Sequence, residues 1–310
     1  MGGRIPLPVR PPSFTKEHDM EHTQQIKLEI TAAECRKEAL AMVQAAQSGH
    51  LGGSMSVMDI LTVLYFNTMR ITPDSPKNPD RDRCVLSKGH CTPAMYSILA
   101  HKGFFPIEEL KTFRRIDSNL SGHVEMTKVP GVDMSAGSLG QGLSAALGMA
   151  LAARIDGCQY RVYCICGDGE IQEGQIWEAA QVASHYGANN LTVIVDNNRI
   201  QLDGFTDRIG GPSNAADKFR AFGWNAIEID GHDVSQIAAA LDAAAADAIA
   251  PTAIIANTVK GRGVSFMENN PKWHGGTPNE DEFAIAFSEV QSRIDHLNDV
   301  LHKISEGVSR

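Results

Sequence analysis

The fold of this chain is decided by the segment Arg161-Val162-Tyr163-Cys164-Ile165-Cys166-Gly167-Asp168-Gly169. Its first six residues predict a buried strand, and the glycine-flanked Asp168 predicts a tight acidic turn where that strand ends. Residues 170–186 then show a helical pattern, and residues 191–195 form a second apolar run of strand type. The order strand, turn, helix, strand is typical of parallel strands joined by a crossover helix.

Strand and helix patterns alternate along the rest of the chain. Further strands are predicted at 83–87, 226–229 and 252–257, and helices at 31–46, 59–67, 92–101, 142–153, 234–248 and 283–304. Thr31, followed three residues later by Glu34, predicts the N-terminal cap of the first helix. Residues 48–54 predict a glycine-rich turn. The whole pattern indicates an α/β fold, a doubly wound and mostly parallel sheet with helices on both faces.

Two oxygen-bearing side chains follow neighbouring strands of this predicted sheet. Asp168 lies in the first turn, and Asn198 comes 30 positions later, after the next strand. Ligands of such sheets bind at the carboxyl ends of the strands, so we expect both side chains to reach one place. Oxygen ligands are those that Mg²⁺ prefers. A lone Gly-Asp-Gly is more often a surface turn, but the second strand and its Asn favour a metal–phosphate site.

Four histidines stand beside glycine in predicted loops, namely His50, His90, His123 and His274. A single loop histidine is usually solvated and uninformative. Four histidines in connecting loops indicate a functional site, because loops at one edge of the sheet converge on the binding site. The other seven histidines lack this context, and we interpret them as structural or solvated.

Composition favours one large domain and excludes several classes of function. The chain has 310 residues, 43% hydrophobic content and a net charge of −9, without a basic run, which argues against nucleic acid as a partner. No apolar stretch approaches the roughly 20 residues that span a bilayer. Residues 1–29 lack an apolar signal segment and predict a flexible arm or an interface strap.

The six cysteines form no C-x-x-C pair. Cys164 and Cys166 are two apart on a predicted strand, so they should face one side and pack in the core. This usage fits a reducing cytoplasm.

Around Asp168 and Asn198 the chain resembles the thiamine-diphosphate enzymes, whose signature is Gly-Asp-Gly, a similar gap, and then Asn. The surrounding sequence motifs resemble those of transketolase in particular. They are Gly-Asp-Gly-Glu-Ile-Gln-Glu-Gly at 167–174, Trp-Glu-Ala at 177–179, Asp-Asn-Asn-Arg-Ile at 196–200 and Asp-Gly at 203–204. The resemblance covers about residues 30–276 and implies the thiamine-diphosphate-binding fold of the diphosphate (PP) type. It also implies thiamine diphosphate and Mg²⁺ as cofactors, with Ca²⁺ or Mn²⁺ able to replace the metal.

The resemblance implies roles for individual residues at the cofactor. Asp168, Asn198 and the Ile200 carbonyl correspond to metal ligands, and the Gly169 N–H to a diphosphate contact. The further cofactor-binding residues that it implies are His90, Gly137, Ser138, Leu139, Glu170 and His274. Ser138 stands where the family usually has Pro, which leaves the stiffness of this loop open.

At the substrate, the resemblance implies that His50, His123 and His274 act in hydrogen bonding and proton transfer at the oxygens of a sugar donor. Glu173 and Glu178 match carboxylates of a proton-sharing network near the subunit interface. For these two, an exposed helix face is an equally good interpretation. Arg114, Arg115 and Lys260 could reach an anionic tail, although ordinary solvated charges are the favoured interpretation.

The family also needs a carboxylic acid against the cofactor's pyrimidine ring, which transketolases take from a pyrimidine-binding domain of another chain. Residues beyond His274 predict a loop and one helix, too little for such a domain. We therefore expect residues 277–310 to be a helical extension. The chain resembles the N-terminal subunit of a split transketolase, active only with a C-terminal partner that carries the activating Glu, in an α2β2 assembly.

The expected reaction is transfer of a two-carbon ketol group from a ketose or ketose phosphate donor to an aldose acceptor. Alternatives stay open: an unusual sulfonated or branched sugar, the α subunit of a 2-oxoacid dehydrogenase, a synthase of 1-deoxyxylulose 5-phosphate, or a scaffold subunit without turnover. The motif Gly-Ser-Leu-Gly-Gln-Gly at 137–142 favours transketolase over the dehydrogenase.

Overall fold

The computed structural model describes residues 20–211 and 214–307 of the chain. Five strands form one parallel sheet in the order β1-β2-β3-β7-β6, and a short antiparallel pair, β4 with β5, lies outside it. The strands are β1 (Arg83–Leu86), β2 (Val162–Gly167), β3 (Leu191–Asn197), β4 (Ile200–Gln201), β5 (Gly204–Phe205), β6 (Asn225–Asp230) and β7 (Thr252–Asn257).

Helices cover both faces of the sheet. They are α1 (His22–Ala46), α2 (Leu51–Val63), α3 (Thr92–Lys102), α4 (Gln141–Ile155), α5 (Gly174–His185), α6 (Thr206–Ile209), α7 (Ala215–Ala221), α8 (Val234–Ala246) and α9 (Glu280–Ser305). One core lies between the sheet and α1, α2, α3, α8 and α9, and the other between the sheet and α4, α5 and α7. The predicted doubly wound α/β fold is confirmed.

Strand β2 shows how the two cores are built from one segment. Tyr163 and Ile165 belong to the first core, and Val162, Cys164 and Cys166 belong to the second. Side chains of a strand point alternately to its two faces, so a run that is apolar throughout suits a sheet covered on both sides. The Cys164 and Cys166 sulfurs lie 3.8 Å apart, and all six cysteines are free. Core packing of this pair is confirmed.

The first helix begins earlier than the sequence indicated. Helix α1 starts at His22, and the Thr31 hydroxyl donates to the carbonyl of Lys27 within it, so the predicted cap at Thr31 was wrong. Ile26 and Leu28 are buried there, and Glu29 pairs with Arg293 of α9 at 2.6 Å. Packing against α9 extends the helix through part of the predicted arm. Residues 1–19 of that arm lie outside the described residues.

The glycines at 52 and 53 do not form a turn, which corrects a second expectation. Helix α2 begins at Leu51 and contains both of them. A Cβ at Gly52 would lie 2.7 Å from the Trp273 carbonyl oxygen, and one at Gly53 would lie 2.9 Å from the Cys91 sulfur. Close packing, rather than a special backbone conformation, requires glycine at both positions.

The segment predicted as one helix over 170–186 is also broken. A short 3₁₀ turn covers Glu170–Gln172, Glu173 is extended, and α5 begins at Gly174. The predicted C-terminal helix is present as α9, which Asn279 and Glu282 cap reciprocally. None of the helices in the described part of the chain combines the length and apolar character needed to cross a membrane.

Candidate functional site

A cavity of about 450 Å³ opens at the carboxyl ends of the parallel strands. Ser87 to His90 follow β1, Asp168 to Glu170 follow β2, Asn198 follows β3 and Lys260 follows β7. Of the predicted site residues, all but Ser138 and Glu178 line this cavity: His50, His90, His123, Gly137, Leu139, Asp168, Gly169, Glu170, Glu173, Asn198, Ile200 and His274. Residues far apart in sequence thus meet because parallel strands end at one edge.

The four loop histidines form one cluster at the cavity. The ring of His50 lies 5.1 Å from that of His90, 5.7 Å from that of His274 and 6.4 Å from that of His123, measured between ring centres. His90 and His274 are 5.3 Å apart by the same measure. The imidazoles therefore face a common volume in which a polar ligand would meet several ring nitrogens at once.

Burial keeps these rings neutral. It lowers the pKa of His50 to about 4, with the charge of Arg114 adding to the effect. Burial and the neighbouring Lys88 lower the pKa of His90 to about 2, and burial and Lys260 lower that of His274 to about 3. The pKa of His123 is lowered as well, again mainly by burial. Neutral imidazoles can both donate and accept hydrogen bonds.

Asp168 is the most unusual polar group of the site. It is 8% exposed, and its Oδ1 accepts the N–H of Gly169 at 2.9 Å. Its Oδ2 is buried without any hydrogen-bond partner among the described residues. Burial, followed by the charge of Asp196, raises the pKa of the Asp168 carboxyl to about 6. A buried carboxylate oxygen without a donor is costly, and it marks a place where a cation would be stabilised.

Asn198 and Ile200 belong to a strained turn at the same cavity. Arg199, between them, has a φ of +62°, a left-handed conformation that non-glycine residues seldom adopt. The Asn198 side chain accepts the Ile200 N–H at 3.1 Å and donates to Asp196 at 3.2 Å. Asn198 and Ile200 both line the cavity together with Asp168. The strained turn thus brings two further residues with oxygen ligands to the carboxylate.

Glu170 has a different local role from the other predicted cofactor-binding residues. Its carboxylate accepts hydrogen bonds from the Ser87 hydroxyl and from the Gly140 and Gly167 N–H groups, the last two at 3.0 Å each. Both carboxylate oxygens are therefore used within the chain. Glu170 ties together the turn after β1, the Gly-Asp-Gly turn and the loop before α4. The Gly169 N–H is likewise bonded within the chain, to Asp168.

Lys260 is buried, so the expectation of an ordinary solvated charge was wrong for this residue. It is 2% exposed, and its ammonium donates to the Ile200 carbonyl at 2.7 Å and contacts His274 Nδ1 at 2.8 Å. Burial lowers the Lys260 pKa to about 8. Arg114 is half-buried and donates to the Ser48 hydroxyl at 2.6 Å, whereas Arg115 is exposed.

A buried ion pair between Lys88 and Asp196 underlies the site and was not predicted from the sequence. Lys88 is 2% and Asp196 0% exposed, and the carboxylate also accepts hydrogen bonds from Ser56 and Thr258. The pair could have been inferred from the positions of its two residues in the sequence, because each one lies directly at the end of a predicted strand. A charged residue at the carboxyl end of a buried parallel strand needs a partner, and another such strand end can supply one.

Two predicted residues outside the cavity, and Glu173 at its rim, lie on the surface of the described chain. Ser138, Glu173 and Glu178 are exposed. This exposure is compatible with an interface and with an ordinary helix face alike, so the role of these residues stays a prediction.

The sequence matches the family described as "Transketolase, thiamine diphosphate binding domain" over residues 29–292. It is 41% identical over 270 residues to an apulose-4-phosphate transketolase subunit of Phocaeicola vulgatus, covering 87% of this chain and 96% of that protein. It is 44% identical over 268 residues to the 6-deoxy-6-sulfo-D-fructose transketolase subunit SqwG of a Clostridium species, covering 86% and 98%.

Longer transketolases are matched over about half of their length. Human transketolase is 39% identical over 295 residues, covering 92% of this chain and 45% of that protein. The crystal structure of Campylobacter jejuni transketolase superposes with a TM-score of 0.81 at 32% identity, covering 91% of this chain and 47% of that chain. The predicted resemblance is confirmed: the chain belongs to the transketolase family and contains its thiamine-diphosphate-binding domain.

Proposed function

We propose that this chain is the N-terminal subunit of a two-chain transketolase. It would bind the diphosphate and the Mg²⁺ of thiamine diphosphate and, with a C-terminal partner, transfer a two-carbon ketol group from a ketose to an aldose. The observation that carries the proposal is the buried Oδ2 of Asp168, which has no hydrogen-bond partner among the described residues and lies in a cavity shared with Asn198 and four neutral histidines. A site built for an oxygen-ligated cation beside a polar ligand explains both features.

The proposed metal ligands are Asp168, the Asn198 amide oxygen and the Ile200 carbonyl. The Ile200 carbonyl accepts the Lys260 ammonium in this structure, so this hydrogen bond would lengthen or break when the metal binds. In the described residues no group of three or more His, Cys, Asp or Glu side chains could hold a metal alone. The proposed set has one carboxylate and two neutral oxygens, so phosphate oxygens and water must complete the shell. Mg²⁺ usually binds in this way, through one or two carboxylates plus substrate phosphates.

The proposed diphosphate contacts come from Lys260 and His90. Lys260 is a buried ammonium at the cavity, and His90 offers a neutral ring within the histidine cluster. A fixed ammonium and a ring N–H suit an anionic group that also binds a divalent ion. When bound, thiamine diphosphate supplies the nucleophilic carbon that carries the two-carbon group between the sugars.

The proposed sugar contacts are His50, His123 and His274. Because burial keeps these rings neutral, His50 and His123 can each donate one hydrogen bond and accept another at sugar hydroxyl or carbonyl oxygens, whereas His274 has only its Nε2 for the sugar because its Nδ1 contacts Lys260. Held at fixed positions, such groups can stabilise charge that develops on oxygen and can move protons. Glu173 and Glu178 would belong to the network at the subunit interface.

The partner is supported by the relatives. Two proteins whose names call them transketolase subunits match this chain over 96% and 98% of their length. We propose that the partner supplies the pyrimidine-binding domain with its activating Glu and that the assembly is α2β2. Six free cysteines fit a reducing compartment, and we propose a cytoplasmic location.

An unusual sugar is the second candidate substrate, because these two relatives are named for apulose 4-phosphate and for 6-deoxy-6-sulfo-D-fructose. The first name is that of a sugar phosphate and the second is that of a sulfonated sugar. Both share with xylulose 5-phosphate a two-carbon ketol end and differ at the anionic end. The same cavity residues would therefore act on all three, and the partner's residues could decide among them.

The test mixes the purified chain with a C-terminal transketolase subunit from the same organism, thiamine diphosphate and Mg²⁺. Three donors are supplied in parallel, xylulose 5-phosphate, apulose 4-phosphate and the sulfofructose, with ribose 5-phosphate as acceptor. We expect ketol transfer from at least one donor, none from either chain alone, and loss of transfer on chelation of the metal. Absence of both transfer and cofactor binding in the mixture would refute the proposal.

A further inference from the structure

Lys260 and His274 form a close side-chain contact inside the cavity. The Lys260 ammonium lies 2.8 Å from Nδ1 of His274. Within residues 20–211 and 214–307, the other ring nitrogen of His274 has no hydrogen-bond partner, and the ring lines the cavity. One nitrogen of this imidazole is thus held by the protein, and the opposite one is left for a ligand.

The position of Lys260 is fixed from several directions. Its ammonium donates to the Ile200 carbonyl at 2.7 Å. Its methylene stem passes over Gly52, where a Cβ would come within 3.1 Å of it, and the Gly261 N–H donates to the Gly52 carbonyl at 3.0 Å. With 2% of its surface exposed, Lys260 has little freedom to turn away from His274.

The chemistry of the contact assigns the proton on the ring. A protonated lysine has three N–H donors and no acceptor, so the nitrogen that it touches must accept. In a neutral imidazole the other nitrogen then carries the hydrogen. The hydrogen-bond network around the ring therefore allows one arrangement of its proton.

We infer that Lys260 is a positioning residue that holds His274 in the Nε2–H tautomer, so that this ring donates a hydrogen bond into the cavity and does not act there as a base. The consequence for the sugar rests on the proposed function, whereas the tautomer does not. His274 then stabilises an oxygen on which negative charge develops, and proton uptake falls to the other histidines. This narrows the role predicted for His274, which included proton transfer.

The tautomer is tested on the chain without partner or cofactor. The ¹⁵N shifts of the His274 ring are read at neutral pH, with assignment by loss of the signals in His274→Gln. We expect a pyridine-like shift for Nδ1 and a pyrrole-like shift for Nε2. The Lys260→Arg variant, which keeps a charged donor, should retain this pattern. The Lys260→Met variant should move both shifts toward intermediate values, because both tautomers become populated.

Two outcomes overturn the inference: a pyrrole-like Nδ1 in the unsubstituted chain, or shifts in a folded Lys260→Met variant that equal those of the unsubstituted chain. Urea unfolding checks that each variant folds, and if Lys260→Met does not fold, the ring shifts of the unsubstituted chain decide the tautomer.

A second readout uses the assembled complex. The amide nitrogen of a glutamine occupies about the place of Nε2 and can donate but not act as a base, so His274→Gln should lose at least tenfold less kcat than His274→Leu. Equal losses would contradict the donor role. A complex without any activity would refute the proposed function and leave the ring shifts to decide the tautomer.

Discussion

Two aspartates at the same sheet edge show how the surroundings of a single residue set its role. Asp196 is fully buried and paired with Lys88, and this charge together with hydrogen bonds keeps the pKa of its carboxyl low against the effect of burial. Asp168 is almost as buried, yet one oxygen has no partner among the described residues and its pKa is raised. The first carboxylate is satisfied by the protein, and the second needs a ligand.

We therefore predict opposite effects of Asp168→Asn on stability and on binding. The change removes a poorly solvated charge and the repulsion from Asp196, so the free energy of unfolding of the chain alone should rise by about 1 kcal/mol. Mg²⁺-dependent binding of thiamine diphosphate by the complex should weaken by about 100-fold. Urea unfolding measures the change in stability, and titration calorimetry measures the change in cofactor affinity. The exposed Asp203→Asn at the cavity rim is the control, and equal effects of both changes would contradict the prediction.

Removing one member of the buried ion pair should be costly. Lys88→Met leaves the Asp196 carboxylate buried without its cation, and we expect the free energy of unfolding to fall by about 3 kcal/mol or more. The matched control is Lys303→Met, which breaks an exposed pair with Asp299 and should change stability by less than about 0.5 kcal/mol. Urea unfolding compares them. Similar small effects would show that the pair contributes little.

At the scale of elements, α9 belongs to the first core. Its buried residues Phe283, Ala286, Val290, Ile294 and Leu297 recur at the spacing of one helix face. That face packs on α1, and Lys37 and Glu29 of α1 bond to Gln291 and Arg293 of α9. Although the sequence suggested an extension beyond the domain, the helix shares the domain's core.

Two neighbouring phenylalanines of α9 give the test of this packing. Phe283 is 1% exposed, whereas Phe287 is half-buried on the same helix face. We expect Phe283→Ala to lower the free energy of unfolding by about 3 kcal/mol and Phe287→Ala by clearly less, because only the first leaves a closed cavity. Urea unfolding at one temperature measures both. A loss below about 1 kcal/mol for Phe283→Ala, or a larger loss for Phe287→Ala, would mean that α9 is only loosely attached.

For the molecule as a whole, the neutral histidine cluster makes stability depend on pH. Burial lowers the pKa of His50 to about 4 and that of His274 to about 3, below the value of about 6.5 in an unfolded chain. Above about pH 6.5 these histidines are neutral in both the folded and the unfolded state. As the pH falls below about 6.5, the two histidines are protonated in the unfolded state before they are protonated in the folded state. The free energy of unfolding therefore decreases as the pH falls from about 6.5 towards 4.

The double variant His50→Gln/His274→Gln should therefore lose less stability than the unsubstituted chain between about pH 7 and pH 5. Urea unfolding at several pH values measures the two slopes, and the carboxylates common to both chains cancel in the difference. Parallel curves would show that these rings are not forced to stay neutral by the fold.

Much of the site could be predicted from the sequence because its signals are local. Short apolar runs predicted β2, β3 and β7 to within two residues, and parallel strands bring their carboxyl ends to one edge whatever packs around them. Asp168, Asn198 and the four glycine-flanked histidines each lie in a loop that leaves such an end or faces it. The topology brings Asp168, Asn198 and His90 together at the strand ends, whereas His50 and His123 reach the same edge from loops that follow helices.

The amino-acid sequence by itself thus determined the doubly wound sheet and the set of loop residues that meet at its edge. Only the tertiary structure decided that Lys260 is buried against His274, that Lys88 pairs with Asp196, that Gly52 and Gly53 are helical, and that α1 begins at His22. The physical reason is the same in each case. These features depend on burial and pairing between segments distant in sequence, and neither periodicity nor a short motif carries that information.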